Sequence, residues 1–198
     1  MSSSPKNTRE ALLEAAAELL KRRGARATLD EVADAANVSR QTVYLHFGSR
    51  TGLMLALVQH IDSRGTLQRL IERIFDAPTA VSALDAVVAL HAEYYPLIYP
   101  VAQVLMARRQ DDEAMAAAWD DRMESRRMLY REVVRRLADE ALLAPEWEIE
   151  DATDVLWALT SWEVWEQLTR TRGRSSDDYV RLLSTIIKRT LVGSAAAG

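Results

Sequence analysis

The chain of 198 residues has no cysteine. That absence excludes a disulfide framework, a thiolate zinc site and a cysteine nucleophile. No apolar run approaches eighteen residues, and no charged start leads into an apolar centre. Neither a membrane span nor a signal peptide is therefore expected, and the expected compartment is the cytoplasm. No stretch reads as a β-strand and no segment repeats. The three histidines, His46, His60 and His91, lie far apart, and none sits in an HExxH pattern. GxSxG, Walker and GxGxxG signatures are missing as well. Asp111, Asp112, Glu113, Asp120, Asp121 and Glu124 gather acid along one helix. Arg108, Arg109, Arg122, Arg126 and Arg127 interleave with them, so helical ion pairs explain the cluster better than a metal does. The expectation is a protein that is not an enzyme, with no cofactor and no metal site.

What is present is the composition of a soluble globular protein, 48% hydrophobic and 27% charged, long enough for a sizeable core. The net charge of −4 is unevenly spread. Residues 1–50 hold eight Lys/Arg against six Asp/Glu, and the remainder seventeen against twenty-three. A mildly basic head on an acidic body fits a protein that touches phosphate at one end only.

The stretch Thr28 to Phe47 is the most informative. Thr28 and Glu31 have the spacing of a capping box. Leu29, Val32, Ala33 and Ala36 then give about two turns of one-faced helix. Asn37 can take the left-handed conformation that ends it, and Ser39 caps a second helix. Two short helices joined by about three residues form a helix-turn-helix, whose second helix suits the DNA major groove. Arg40, Gln41 and Thr42 fall in its first turn, the end that meets base edges.

Together with Leu12, Leu13, Leu20, Gly24, Val38, Val43, Tyr44, Arg50 and Leu53, these residues make Thr8 to Leu57 resemble the DNA-binding domain of the TetR (tetracycline-repressor-like) family. The resemblance implies that Arg40, Gln41 and Thr42 face bases, with Ser39 at the helix start. It implies too that Tyr44, His46 and Arg50 hold phosphates, and that the Thr28 end of the preceding helix offers N–H groups to another. Arg50 stands where the family usually has lysine, and Asn37 where it has glycine. Lys6 and Arg9 are candidates for contact with the DNA backbone or minor groove.

The first helix is expected to begin at Asn7 or Thr8, after a polar tail from Ser2, and to stop at Gly24. A long helix is expected from Arg50 to about Phe75, with Gly65 as a bend point between head and body. Helices should follow from Asp76 to Tyr95, with a break bracketed by Pro96 and Pro100, then from Val101 to Arg109, Asp111 to Leu143, Glu148 to Arg172, and from Ser175 or Ser176 to a tail at Ser194–Gly198. The fold class is all-α, with about nine helices. A three-helix DNA-binding domain (1–50) precedes a helical ligand-binding and dimerisation domain (51–198).

Two stretches of the body suggest roles. Val155, Leu159 and Trp162 share one side of a helix that is apolar on both sides, and Tyr179, Leu183, Ile186 and Ile187 lie on the last helix's stripe. Together they predict a homodimer through a four-helix bundle. His91, Tyr94, Tyr95, Tyr99, Gln103 and Met106 combine aromatic bodies with polar tips. With Trp119, Met123 and Trp157 they are candidates to line a mainly apolar effector pocket, which the resemblance places in the body. The reading is a ligand-responsive transcriptional regulator, a repressor, that binds a palindromic double-stranded operator as a dimer and is released by a small effector. The alternative is a helical oligomeric scaffold, or a regulator without a small-molecule ligand.

Overall fold

A computed structural model describes residues 5–108 and 110–193, apart from the side chains of residues 5, 6, 25 and 108. The tail at 194–198, the expected helix end at Arg109 and the Lys6 side chain lie outside the described residues. The described residues are all-α, with ten α-helices, two short helical turns of other pitch and one isolated antiparallel bridge, Leu143 to Val192. They divide into two compact units, Met1–Gly65 with Leu97–Asp121, and Thr66–Pro96 with Arg122–Gly198.

In the first unit α1 spans Pro5–Arg23. It starts earlier than expected, because proline is well tolerated in a first turn that needs no N–H partner. A short tight turn, Gly24–Arg26, leads to α2 (Leu29–Ala35), and α3 (Arg40–Phe47) and α4 (Arg50–Ser63) follow. Helix α1 packs on α2 and α4, and α3 packs on both α2 and α4. Leu12, Leu13, Ala16 and Leu20 of α1 meet Val32 and Ala33 of α2, Val43 of α3, and Leu53, Met54 and Leu57 of α4 in one buried cluster. Val101, Val104, Leu105 and Met115 belong to the same core.

The expected helix from Arg50 to Phe75 is two helices. Helix α4 ends at Ser63 and α5 spans Thr66–Phe75. Gly65 has φ +76°, a left-handed conformation that glycine adopts without a Cβ clash, and its N–H bonds the carbonyl of Asp62 at 3.0 Å. The residue expected to be a bend within a helix is the stop signal of one.

The reverse happens at the prolines. Helix α6 runs from Ala80 to Arg108 without interruption at Pro96 or Pro100. Each proline removes a main-chain donor, at a cost of about 3 kcal/mol in a helix interior. Burial of Tyr94, Tyr95, Ile98, Val101 and Ala102 in the surrounding turns offsets it.

Helix α7 spans Glu113–Asp139, with Asp112 accepting from the N–H groups of Ala114 and Met115 at its start. It stops four residues short of Leu143, after which Ala141 adopts φ +56°.

The expected helix from Glu148 to Arg172 is also divided. Helix α8 (Ile149–Leu159) ends at Thr160, Ser161 caps α9 (Trp162–Glu166), and a wider π-type turn covers Gln167–Thr171. Helix α10 (Ser176–Leu191) is capped by Ser175 and packs on α8. The second unit buries Leu84, Val87 and Val88 of α6, Tyr130, Val134 and Leu137 of α7, Leu156 of α8, Trp165 of α9, and Leu183 and Leu191 of α10.

Candidate nucleic-acid interface and effector site

The helix-turn-helix is built from side chain–backbone locks. Thr28 Oγ1 accepts from the Glu31 N–H at 3.2 Å, and the Glu31 carboxylate accepts from the Thr28 N–H at 2.9 Å, so the expected capping box is present. The Thr28 N–H bond and the nearby Arg23 guanidinium hold the Glu31 carboxyl below the usual carboxylate range. Asn37 takes φ +54°, the left-handed turn expected of it. Ser39 Oγ accepts from the Thr42 N–H at 3.2 Å and lies 2.9 Å from Thr42 Oγ1. Val43 is 1% exposed and anchors α3 to the core. At the far end, Ser49 caps α4 by accepting from the Gly52 N–H at 3.0 Å. A Cβ at Gly52 would run into the carbonyl oxygen of Phe47. Glycine there lets α4 start immediately under the end of α3.

This anchoring leaves Arg40, Gln41, Tyr44 and Leu45 exposed along the free face of α3, with Thr42 and His46 half-buried beside them. Arg40 is already engaged. Its guanidinium meets the Asp30 carboxylate through Nε at 3.0 Å and Nη1 at 3.2 Å, donates to the Tyr44 hydroxyl at 3.2 Å, and lies 5.4 Å from the Tyr44 ring centroid. The Tyr44 bond and Asp30 raise its pKa. Arg9 stacks 5.5 Å from the Phe47 ring centroid, and Arg50 is half-buried at the start of α4. The N–H groups of Thr28 and Glu31 are taken up by the capping box, which leaves the Thr28 end of α2 less to offer a phosphate than the sequence suggested. Leu45, 83% exposed on the free face, was missed in the sequence. Only the burial of Val43 and Phe47 fixes which way α3 turns, so the pattern alone does not single it out.

The residues expected to line an effector pocket divide between the units. Tyr99, Gln103, Met106 and Trp119 are half-buried in the first, where Gln103 Nε2 donates to the Tyr99 hydroxyl at 2.8 Å. His91, Tyr94 and Tyr95 are buried in the second, and Met123 and Trp157 half-buried there. The second group forms a connected polar cluster. His91 Nδ1–H donates to the Val87 carbonyl at 2.7 Å, so Nε2 accepts from the Tyr130 hydroxyl at 2.6 Å. Burial, with Arg126 nearby, pushes the His91 pKa down to about 3. Tyr95 donates to the Thr160 carbonyl at 3.0 Å and accepts from Arg126 Nη1 at 2.9 Å. Arg126 Nη2 donates to the Trp157 carbonyl at 2.9 Å. Two orphan carbonyls at the end of α8 are thereby satisfied by tertiary partners, which is why α8 stops without a glycine or proline.

Arg126, Tyr130 and Thr160 were not among the expected pocket residues. The charges interleaved along α7 predict ion pairs within it for Arg126 and Arg127. Instead, Arg127 pairs with Glu150 at 2.8 Å and Asp154 at 3.1 Å on α8, and Arg126 turns into the cluster. A surface groove of about 340 Å3 between Thr66, Arg69, Leu70, Glu72, Arg73, Asp76 and Glu93 contains none of the expected ligand residues.

Of the expected dimer residues, Tyr179, Leu183 and Ile187 are at most 2% exposed and Trp162 is 4% exposed, so all four pack inside their own subunit. The physical reason is that α10 needs one apolar face simply to dock on its own body. Val155 and Leu159 are half-buried, and Ile186 is 45% exposed.

Residues 12–57 match the family model for bacterial regulatory proteins of the tetR family. The HTH-type transcriptional regulator YvkB of Bacillus subtilis (strain 168), itself uncharacterized, is 42% identical over 62 residues; the match spans 30% of this chain and 33% of that protein. A protein from Saccharomonospora viridis in complex with choline superposes with a TM-score of 0.81 at 18% identity, covering 94% of this chain and 98% of that one. NalD, the secondary repressor of the MexAB-OprM multidrug efflux pump in Pseudomonas aeruginosa, gives a TM-score of 0.70 at 23% identity, covering 96% and 98%. FadR from Bacillus subtilis in complex with stearoyl-CoA gives 0.71 at 16%, covering 92% and 97%. At such identities these likenesses establish the fold. The tetR-family match is thus confined to residues 12–57, and the described residues share the all-α fold of these neighbours, with a helix-turn-helix at the N-terminal end and a helical C-terminal part.

Proposed function

We propose that this chain is a transcriptional repressor that binds a palindromic operator as a homodimer and leaves it when a small, mainly apolar effector enters the body. The observation that carries the reading is α3 itself. It is capped by Ser39, anchored by Val43, and presents Arg40, Gln41, Tyr44 and Leu45 outward at one end of a mildly basic segment. A purely structural helix has no use for that face. DNA-binding residues are then Arg40, Gln41 and Thr42 for bases, Tyr44, His46, Arg50 and the Thr28 end of α2 for phosphates, and Ser39 at the start of α3. On this reading residues 1–50 are the DNA-binding domain, and residues 51–198 bind the effector and pair the subunits.

Arg40 must exchange Asp30 for a base edge. Exposed ion pairs hold weakly, so the exchange is affordable. The solved neighbours carry choline in one case and stearoyl-CoA in another. The fold thus accepts chemically different ligands, and the choice rests with each chain's own residues.

The test is genomic DNA recovered on the immobilised protein and sequenced, followed by titration of the recovered site. Arg40→Ala or Gln41→Ala is expected to weaken that site about tenfold to a hundredfold and relax its sequence preference, with random DNA little changed. Equal losses on recovered and random DNA would remove these residues from base reading. No enriched sequence at all favours the helical scaffold.

A further inference from the structure

Arg126 brings a full positive charge into the second unit with no carboxylate among its described partners. Its Nη1 and Nη2 donate to neutral groups, the Tyr95 hydroxyl and the Trp157 carbonyl, each at 2.9 Å. Its guanidinium lies 4.7 Å from the Trp157 ring centroid and 5.5 Å from that of Tyr130. Its Nε is buried and has no acceptor. The Tyr179 hydroxyl, on a residue 0% exposed, has none either. Acids are close at hand, since Arg127 and Arg131 of the same helix both find Glu150 on α8. Arg126 alone of these three turns inward to a set of groups that cannot neutralise it. His91 is a neutral acceptor already filled by Tyr130, and burial keeps the tyrosine hydroxyls protonated.

Buried donors are ordinarily bonded, and the Arg126 Nε and the Tyr179 hydroxyl are buried donors without an acceptor. A cation with a spare donor, next to a second spare donor and walled by aromatic rings, has the complementary form of an organic carboxylate. We propose that the cluster around Arg126 is a ligand site for a small monocarboxylate with a flat apolar body. The carboxylate accepts from Arg126 Nε, Tyr179 supplies a further donor in the same cluster, and the body lies against Trp157 and Tyr95. Arg126 and Trp157 are themselves only half-buried, so the cluster is reached from their side. A quaternary ammonium is disfavoured, because the guanidinium already sets a positive charge beside the rings it would need. The proposal rests on the reading that the body takes an effector, and it names that effector's class.

The experiment uses the full-length protein without DNA, titrated with naphthoate and with its uncharged isostere naphthamide. The readouts are tryptophan fluorescence and the thermal midpoint. Naphthoate is expected to saturate and to raise the midpoint, and to bind about tenfold or more tightly than the amide. Arg126→Gln should abolish that preference. Because Arg126 also holds the end of α8, Tyr179→Phe serves as a milder variant, expected to lose several-fold for the acid and nothing for the amide. Equal binding of acid and amide, or no binding of the acid, overturns the proposal. So does binding of inorganic phosphate as tight as that of naphthoate. Operator release is measured separately. If naphthoate binds selectively but leaves the operator complex intact, the site stands and the effector reading fails.

Discussion

Leu45 is 83% exposed, yet it sits beside Arg40, Gln41 and Tyr44 on a helix whose buried side is already filled by Val43. An apolar side chain left in water on that face has one natural partner in the major groove, the 5-methyl group of thymine. One methyl group withdrawn from water contributes about 0.8 kcal/mol, or about fourfold in affinity. Replacing the contacted thymine of the recovered operator by deoxyuridine, which lacks that methyl, is expected to weaken the wild type by about that factor and leave Leu45→Ala unmoved. A Leu45→Ala protein that still prefers thymine to uracil at every position would show the side chain pointing elsewhere. At this scale the sequence is legible where a residue's role is local. The Thr28–Glu31 box, the Ser39 cap and the left-handed Asn37 all follow from short-range chemistry. It is silent where a role depends on a distant partner. Nothing around Arg40 indicates that Asp30, ten residues upstream, holds it in the free protein.

Helix boundaries divide the same way. Those set by local caps, such as Ser175 before α10, are legible, whereas those set by tertiary contacts are not. Pro96 and Pro100 read as breaks but lie inside α6, and Thr160 reads as helix but ends α8, because Tyr95 and Arg126 reach its last carbonyls. The junction of α6, α7 and α8 has a measurable signature through His91. In the fold its pKa is lowered to about 3, against 6.5 for the ordinary side chain. The unfolded chain therefore takes up a proton between those values that the native state refuses. The linked stability is present in full above pH 6.5 and is lost as pH falls towards 3. Carboxyls held low in the fold, Glu31, Glu140 and Glu150 among them, contribute the same slope only nearer their ordinary value of 4.5. The upper part of the window, from pH 6.5 to about 5.5, is dominated by the imidazole. The wild-type unfolding midpoint is expected to fall steadily across it, and His91→Gln to be flatter from a lower starting stability. Parallel slopes for the two proteins would mean that His91 becomes protonated without unfolding the junction.

For the whole molecule, the proposed function requires pairing, because a lone helix-turn-helix covers less DNA than the roughly 1,000–2,500 Å2 of protein surface usual for specific recognition. The last helix illustrates why the apolar stripe alone misleads. Tyr179, Leu183 and Ile187 fall on one line and suggest a partner subunit, but they are the face by which α10 docks on its own body. What is left for a second subunit is the rim: Ile186, 45% exposed, half-buried Leu182, and half-buried Val155 and Leu159 on the adjoining α8. Two charge substitutions one helical turn apart separate the roles. Leu183→Glu places a carboxylate in the subunit interior, where an unpaired charge costs several kcal/mol, of the order of a domain's whole stability. It should therefore be lost to aggregation. Ile186→Glu leaves the body intact, with an unchanged circular dichroism spectrum, but sets two like charges against each other across the two-fold axis of an isologous interface. The expected product is a folded monomer by analytical ultracentrifugation. Its operator affinity should fall steeply, because paired half-sites about one helical turn apart, roughly 34–36 Å, can no longer be gripped together. A folded Ile186→Glu dimer with undiminished operator affinity would move the interface off α10 altogether.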